Sequence, residues 1–264
     1  MQTREPAVAG MFYPADVQQL RRTVEALLSA AASATPVAMG PAPKVLIVPH
    51  AGYIYSGAVA ASAYQLLAPL KETIRRVVLL GPAHRVFLRG MAIPSVDQFR
   101  TPLGTIALDR SALEQLATVP GVVLSDEAHA EEHCLEVQLP FLQLLLDDFR
   151  LVPVVVGQCD AKRVGAVIDH LWGGPETLIV ISSDLSHYRS YQEARRIDHQ
   201  TGQRILAKAS DLSGDEACGA HAINGLMRAM HTRSLDIESL DLRNSGDTAG
   251  DKSRVVGYGA FSLH

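Results

Sequence analysis

Cysteine is scarce in this chain. Three residues, Cys134, Cys159 and Cys218, lie far apart. An odd, scattered set is not a disulfide framework and implies a reducing compartment. Long apolar runs are missing too; none nears the ~20 residues that cross a bilayer. The start, Met1 to Pro6, lacks the basic-then-apolar layout of a signal peptide. The chain is therefore expected to be cytoplasmic, with no membrane partner. Net charge is −4 and no Lys/Arg cluster runs along one face, which argues against nucleic acid. There is no G-x-G-x-x-G or G-x-x-x-x-G-K-[ST], so no dinucleotide or P-loop cofactor site is expected. There is no G-x-S-x-G nucleophile elbow. Internal repeats and low-complexity segments are likewise lacking.

What is present is a globular composition. In 264 residues, 47% are hydrophobic and 20% charged, enough for a sizeable core. The chain's organising pattern is an apolar run that delivers a histidine just past its end, and it occurs three times. Val45–Val48 leads to Pro49-His50-Ala51-Gly52-Tyr53. Val77–Leu80 leads to Gly81-Pro82-Ala83-His84. Leu178–Ile181 leads to Ser182-Ser183-Asp184-Leu185-Ser186-His187-Tyr188. In open α/β sheets, ligands bind outside the carboxyl ends of the strands.

The rest of the pattern predicts the following elements. Residues 1–15 form an ordered arm, and Asp16 caps a helix carrying Leu20, Val24, Leu27 and Leu28 on one face. A Pro/Gly loop, 35–43, follows. Strand 44–48, helix 58–69 and strand 75–80 make a βαβ unit with a right-handed crossover. Val86–Leu88, Met91–Ile93 and Thr105–Leu108 read as hairpin strands. A helix at 110–118, a strand at 121–124 and a helix from about 138, where Pro140 interrupts the period, come next. Strand 151–156, helix 161–172 and strand 177–181 form a second unit. Helices at 191–208 and 218–231 and strands at 235–242 and 254–262 end the chain. The order predicts one α/β domain, 1–264, with a mostly parallel central sheet flanked by helices plus short antiparallel strands.

Neutral imidazole is a common ligand for iron, copper and zinc. His50 and His84, if they leave adjacent strands ~4.8 Å apart, can converge on one ion. Each alone can equally be a loop histidine bonded to backbone. Asp184 and His187 read as an acid–base pair, with Ser183 or Asp184 capping a helix as the plainer role. His129-Ala130-Glu131-Glu132-His133 matches H-x-x-E-H, which binds zinc only when both histidines share one face of an ordered helix; Glu132 and His133 can instead line the rim of the main site. Arg243–Ser253 is a turn-rich loop in which Asp247 offers a further carboxylate. Cys159, after a strand, and Cys218, at a helix start, are the candidate thiol nucleophiles, and free cysteines otherwise pack as small hydrophobes.

Several blocks resemble one family. They are Pro6–Pro14, Pro49–Tyr53, Gly81–His84, Glu132-His133 with Glu136 and Leu139-Pro140-Phe141, Ser182–Tyr188 and Tyr258-Gly259-Ala260. In order along nearly the whole chain they are similar to the Memo family, whose prokaryotic members are called AmmeMemoRadiSam system protein B. The resemblance implies a fold like that of class III extradiol ring-cleavage dioxygenases, which hold Fe(II) with two histidines and a glutamate. His50 and His84 then resemble the metal histidines, His187 the acid–base histidine and Asp184 its neighbour. Animal Memo proteins carry a cysteine in the C-terminal loop where this chain has Thr248 beside Asp247, so Asp247 is the expected third ligand.

The expected site is thus His50, His84 and Asp247 for metal and His187 with Asp184 for proton transfer. Tyr53, Tyr55, Glu132, His133 and Thr248 line the pocket, although the tyrosines can equally be packing residues. The metal expected is Fe(II), with Zn or Cu as alternatives. The activity implied is that of a dioxygenase-like oxidoreductase on a small substrate. The competing reading is an accessory protein that binds a peptide or a protein partner in the same cleft, in a pathway with a radical-SAM protein and its small companion. A zinc or cysteine hydrolase built on Cys159 or on residues 129–133 is the third reading.

Overall fold

The computed structural model describes residues 1–34 and 41–264. The larger part of the predicted 35–43 loop, residues 35–40, lies outside the described residues. In chain order the first elements are β1 (Thr3–Arg4), α1 (Val17–Ala34), β2 (Val45–Val48), α2 (Ala58–Tyr64), β3 (Arg76–Pro82), β4 (Met91–Ile93), β5 (Gln98–Thr101), β6 (Gly104–Ala107), α3 (Arg110–Leu116) and β7 (Val122–Leu124). Then come α4 (Glu127–Ala130), α5 (His133–Glu136), α6 (Leu139–Leu145), β8 (Arg150–Val156), α7 (Ala161–Leu171), β9 (Thr177–Ser182), β10 (His187–Arg189), α8 (Tyr191–Leu206), α9 (Ala220–Ala229), β11 (Ile237–Asn244) and β12 (Val255–Leu263).

The main sheet runs β10-β12-β2-β9-β3-β8-β4-β7, and β11 pairs with β12. Its centre, β2-β9-β3-β8, is parallel. Antiparallel strands β12 and β4 flank that centre. The central strands are buried along nearly their whole length, as expected of parallel strands covered on both faces. A smaller sheet, β1-β5-β6, stands apart. The expected α/β class with a largely parallel core holds.

Three expectations need correcting. His50 and His84 do not leave adjacent strands, because β9 lies between β2 and β3. The two parallel units interleave, so the three histidine-bearing strand ends sit side by side. Val86–Leu88 is not a strand; the chain there bends, and only Arg89 bridges to Gln158. No helix follows Asp184; the segment continues into β10.

The arm at the N-terminus is held by one buried carboxylate. Glu136 is fully buried and takes Arg4 Nη1 at 2.5 Å, the Ala7 and Val8 amides at 2.8 and 3.0 Å and the Tyr13 hydroxyl at 2.5 Å. Arg4 also donates to the carbonyls of His129 and Glu132, each at 2.8 Å. These carbonyls belong to the break between α4 and α5, so the arm satisfies acceptors that a continuous helix would have used itself.

Candidate metal centre

His50 lies two residues past β2 and is 1% exposed. Its backbone amide donates to Asp184 Oδ1 at 2.7 Å, which ties the end of β2 to the loop after β9. Its Nδ1 is 2.9 Å from Ser182 Oγ, and its Nε2 is 3.3 Å from Cys218 Sγ. His84 lies two residues past β3. Its amide and its Nδ1 both bond Glu132, at 2.6 and 2.9 Å, so one carboxylate fixes both loop and ring. A carboxylate acceptor keeps the proton on Nδ1 and leaves Nε2 unprotonated with its lone pair free, the arrangement typical of metal-bound histidine.

The third imidazole is His133, the first residue of α5. Its ring stacks on His84 at 4.8 Å between centroids and meets His50 edge-on at 5.4 Å. His50 and His84 are 5.2 Å apart. One ring nitrogen from each of the three lies within 4.8 Å of the others. His133 Nδ1 is buried and 3.3 Å from Glu132 Oε1, without the geometry of a hydrogen bond. Phe12 of the arm covers its ring at 4.8 Å. Gly81 makes the approach possible. A Cβ there would sit 2.6 Å from Cys134 Sγ and 3.3 Å from Ser182 Cβ, so any side chain would push α5 off the end of β3.

The electrostatics keep the His50 and His133 rings neutral. Burial, then the neighbouring His84 charge, pushes His50 well below its ordinary range. Burial, then His50, holds His133 at about 4. Burial works to raise Glu132, but the bond from the His84 ring, its charge and the amides of His84 and Cys134 outweigh it and hold the carboxyl at about 2. The result is an anionic Glu132 beside neutral His50 and His133 rings. Metal ions bind the neutral form of the ring, so no proton need leave His50 or His133 first. Three imidazoles beside an anionic carboxylate, buried at His50, partly buried at His133 and exposed at His84, fit a divalent cation.

Not every expected residue joins this cluster. Asp247 is the main correction. Among the described residues, the groups of three ligand-type side chains within 4.8 Å are His50–His84–His133 and His84–Glu132–Cys134. Asp247 belongs to neither. Its Oδ1 accepts from Tyr191 at 2.5 Å and its Oδ2 takes the Asn244 amide at 3.0 Å in a capping box. Thr248 donates to the Ser245 carbonyl and lines a cleft of about 730 Å³ with Met11, Phe12, Ile54 and Tyr55. Tyr53 is buried and its hydroxyl donates to Val137 O at 2.7 Å, which makes it a packing residue as well as a wall of that cleft. Asp184 is buried and its carboxyl is raised by that burial, while His187 lies close enough for its charge to act on Asp184 and His50.

The H-x-x-E-H run is split between α4 and α5. His129 is buried away from the cluster, with Nε2 on the Ala92 carbonyl at 3.0 Å. The two histidines do not share a helix, so the peptidase pattern fails. Cys218 precedes α9 by two residues, and burial pushes its thiol up, as burial does for Cys159. Neither is poised as a thiolate. The second ligand group, with Cys134, is a support layer: its thiol donates to Pro82 O at 3.2 Å and its amide goes to Glu132.

Sequence reasoning placed His133 only at the rim. The signal for it was the resemblance block that paired it with Glu132. Gln138, which supports His50, carried no signal, and Ser182 carried only its place in the block Ser182–Tyr188.

An α/β sheet whose carboxyl rim gathers three imidazoles over one buried carboxylate defines a protein with a candidate metal centre. The model of the family described as "Memo-like protein" matches residues 4–262. A "MEMO1 family protein" of Aquifex aeolicus is 37% identical, covering 98% of each chain. Another, from Ignicoccus hospitalis, is 36% identical over 100% of this chain and 99% of its own. The chain belongs to the Memo family. A solved structure of an uncharacterized protein from Escherichia coli K12 aligns with TM-score 0.50 at 15% identity, covering 81% of this chain and 98% of its own, a likeness of fold. Among the described residues no helix is long and apolar enough to cross a membrane.

Proposed function

We propose that His50, His84 and His133 hold a divalent metal, Fe(II) first, with Zn or Cu as alternatives, and that the chain is a non-haem oxidoreductase for a small oxidisable substrate. The observation that carries this reading is the convergence of three imidazoles, one ring nitrogen of each within 4.8 Å of the others. When bound, such an ion supplies Lewis-acid and, for iron or copper, one-electron chemistry. The chain's own residues do the rest. Glu132 orients His84, and Asp184 fixes the loop that carries His50. His187, at the rim and partly exposed, is the group that takes and returns a proton, with Asp184 beside it. Phe12 shields His133 from water.

Protein loaded with Fe(II) without oxygen, then given oxygen and a panel of catechol-like substrates, should take up oxygen. His187→Ala should lower turnover by ~10²–10⁴-fold with metal content unchanged. Full loading with no uptake across the panel would leave a metal-binding protein and remove the oxidoreductase.

A second reading rests on the cleft of about 730 Å³, where Met11 and Ile54 are exposed. That wall suits an apolar peptide, as in an accessory protein to a radical-SAM system. Peptide binding that survives chelation and the His187→Ala change would favour it.

A further inference from the structure

We infer that Ser182 is a positioning residue that fixes the tautomer of His50, so that Nε2 carries the lone pair facing the cluster. The inference rests on the proposed three-histidine centre for its purpose and on hydrogen-bond chemistry for its direction. Ser182 Oγ has three neighbours at bonding distance: Cys134 O at 2.7 Å, Gln138 Nε2 at 2.9 Å and His50 Nδ1 at 2.9 Å. A hydroxyl has one proton and two lone pairs. The Cys134 carbonyl can only accept, so it receives that proton. The Gln138 amide nitrogen can only donate, so it fills one lone pair. The remaining lone pair must take a proton from His50 Nδ1.

The Gln138 orientation is itself fixed from two sides. Its Nε2 donates to Pro49 O at 2.9 Å, and its Oε1 accepts from the Tyr64 hydroxyl at 2.8 Å. A flipped amide would set two carbonyl oxygens face to face at Pro49. The chain Tyr64–Gln138–Ser182–His50 therefore allows one proton arrangement. Ser182, Gln138 and Tyr64 are each no more than 1% exposed, so water does not offer an alternative partner. With Nδ1 protonated and the ring neutral, Nε2 is bare. The Cys218 thiol at 3.3 Å then donates to it, and its sulfur takes the Asp184 amide, also at 3.3 Å. His84 reaches the same tautomer through a carboxylate, whereas His50 does so through a neutral hydroxyl.

The test uses the full-length, metal-free chain with ¹⁵N-labelled histidine. Long-range ¹H–¹⁵N correlation separates a protonated ring nitrogen from a bare one, and the His50 signals are assigned by difference against His50→Gln. The wild type should show Nδ1–H and a bare Nε2. Ser182→Ala should lose this single pattern, with an Nε2–H form appearing. Affinity for Co(II), used as a probe, should fall ~10–100-fold, the usual cost of losing a second-layer partner. Ser182→Thr, which keeps the hydroxyl, should restore both. A wild type protonated on Nε2, or an Ala variant unchanged in tautomer, overturns the inference. A wild type with the stated tautomer that binds no Co(II) overturns the proposed centre and leaves the Ser182 assignment standing.

Discussion

Two carboxylates, Glu132 and Asp247, occupy opposite kinds of ground. Glu132 is 2% exposed, at the break between two short helices, and its oxygens hold one ring and two amides around a cluster of imidazoles. Asp247 sits on a turn-rich loop, with its oxygens on a tyrosine and a backbone amide. Both are acidic side chains. Only the first lies against ligand-type nitrogens. A carboxylate's availability is decided by what else it must satisfy, and the loop's own turn chemistry claims Asp247.

Variants that shift the foundations of the Glu132 region should have the largest effects. Arg4→Met removes one partner of an ion pair that is 6% and 0% exposed and leaves Glu136 charged and buried. Loss of one partner of such a pair costs ~3–5 kcal/mol, and urea unfolding should show it. Unchanged stability would mean that the arm does not anchor the segment carrying His133.

Next comes acid. Burial holds His129 at about 4, against about 6.5 when unfolded. Between those values the unfolded chain takes a proton that the folded chain refuses, so stability falls as pH falls. The contribution is fully present above about 6.5, and roughly 3 kcal/mol of it is lost by pH ~4. In metal-free protein His133 acts in the same window and the same sense. Glu132 acts lower, between its ordinary range and about 2. Urea midpoints that stay flat from pH 7 to 4 would contradict the buried neutral histidines.

Glu132→Gln should weaken metal binding by ~10–100-fold, because the amide cannot hold the His84 proton on Nδ1 as a carboxylate does. Competition titration reads this directly, and an unchanged affinity would demote Glu132 to packing. The smallest effect belongs to the other carboxylate. Asp247→Ala should cost only ~0.5–1 kcal/mol, the loss of a capping box, in a thermal or urea melt.

Much of this contrast was legible in the residues. The apolar runs before His50, His84 and His187 have the length and burial of parallel strands, so the rim and its histidines could be read directly. The strand order could not. Nothing local in Val45–Val48 or Val77–Leu80 says that β9 inserts between them, since interleaving of two βαβ units is a long-range choice. His133 was read as a pocket residue and not as a ligand for a related reason. Its segment carries the periodicity of neither helix nor strand, and its position depends on Arg4, more than a hundred residues earlier, taking the His129 and Glu132 carbonyls. Asp247 misled because a loop aspartate looks free in sequence, while its two partners are set by the folded turn. Cys218 misled because its place before a helix suggests a thiolate, and burial outweighs that.

The most direct measurement is metal stoichiometry by elemental analysis on untagged protein loaded without oxygen, comparing wild type, His133→Ala and Asp247→Ala. The three-histidine account predicts about one metal per chain in the wild type and in Asp247→Ala, and loss in His133→Ala. Retention in His133→Ala together with loss in Asp247→Ala would contradict it and return the third ligand to the C-terminal loop.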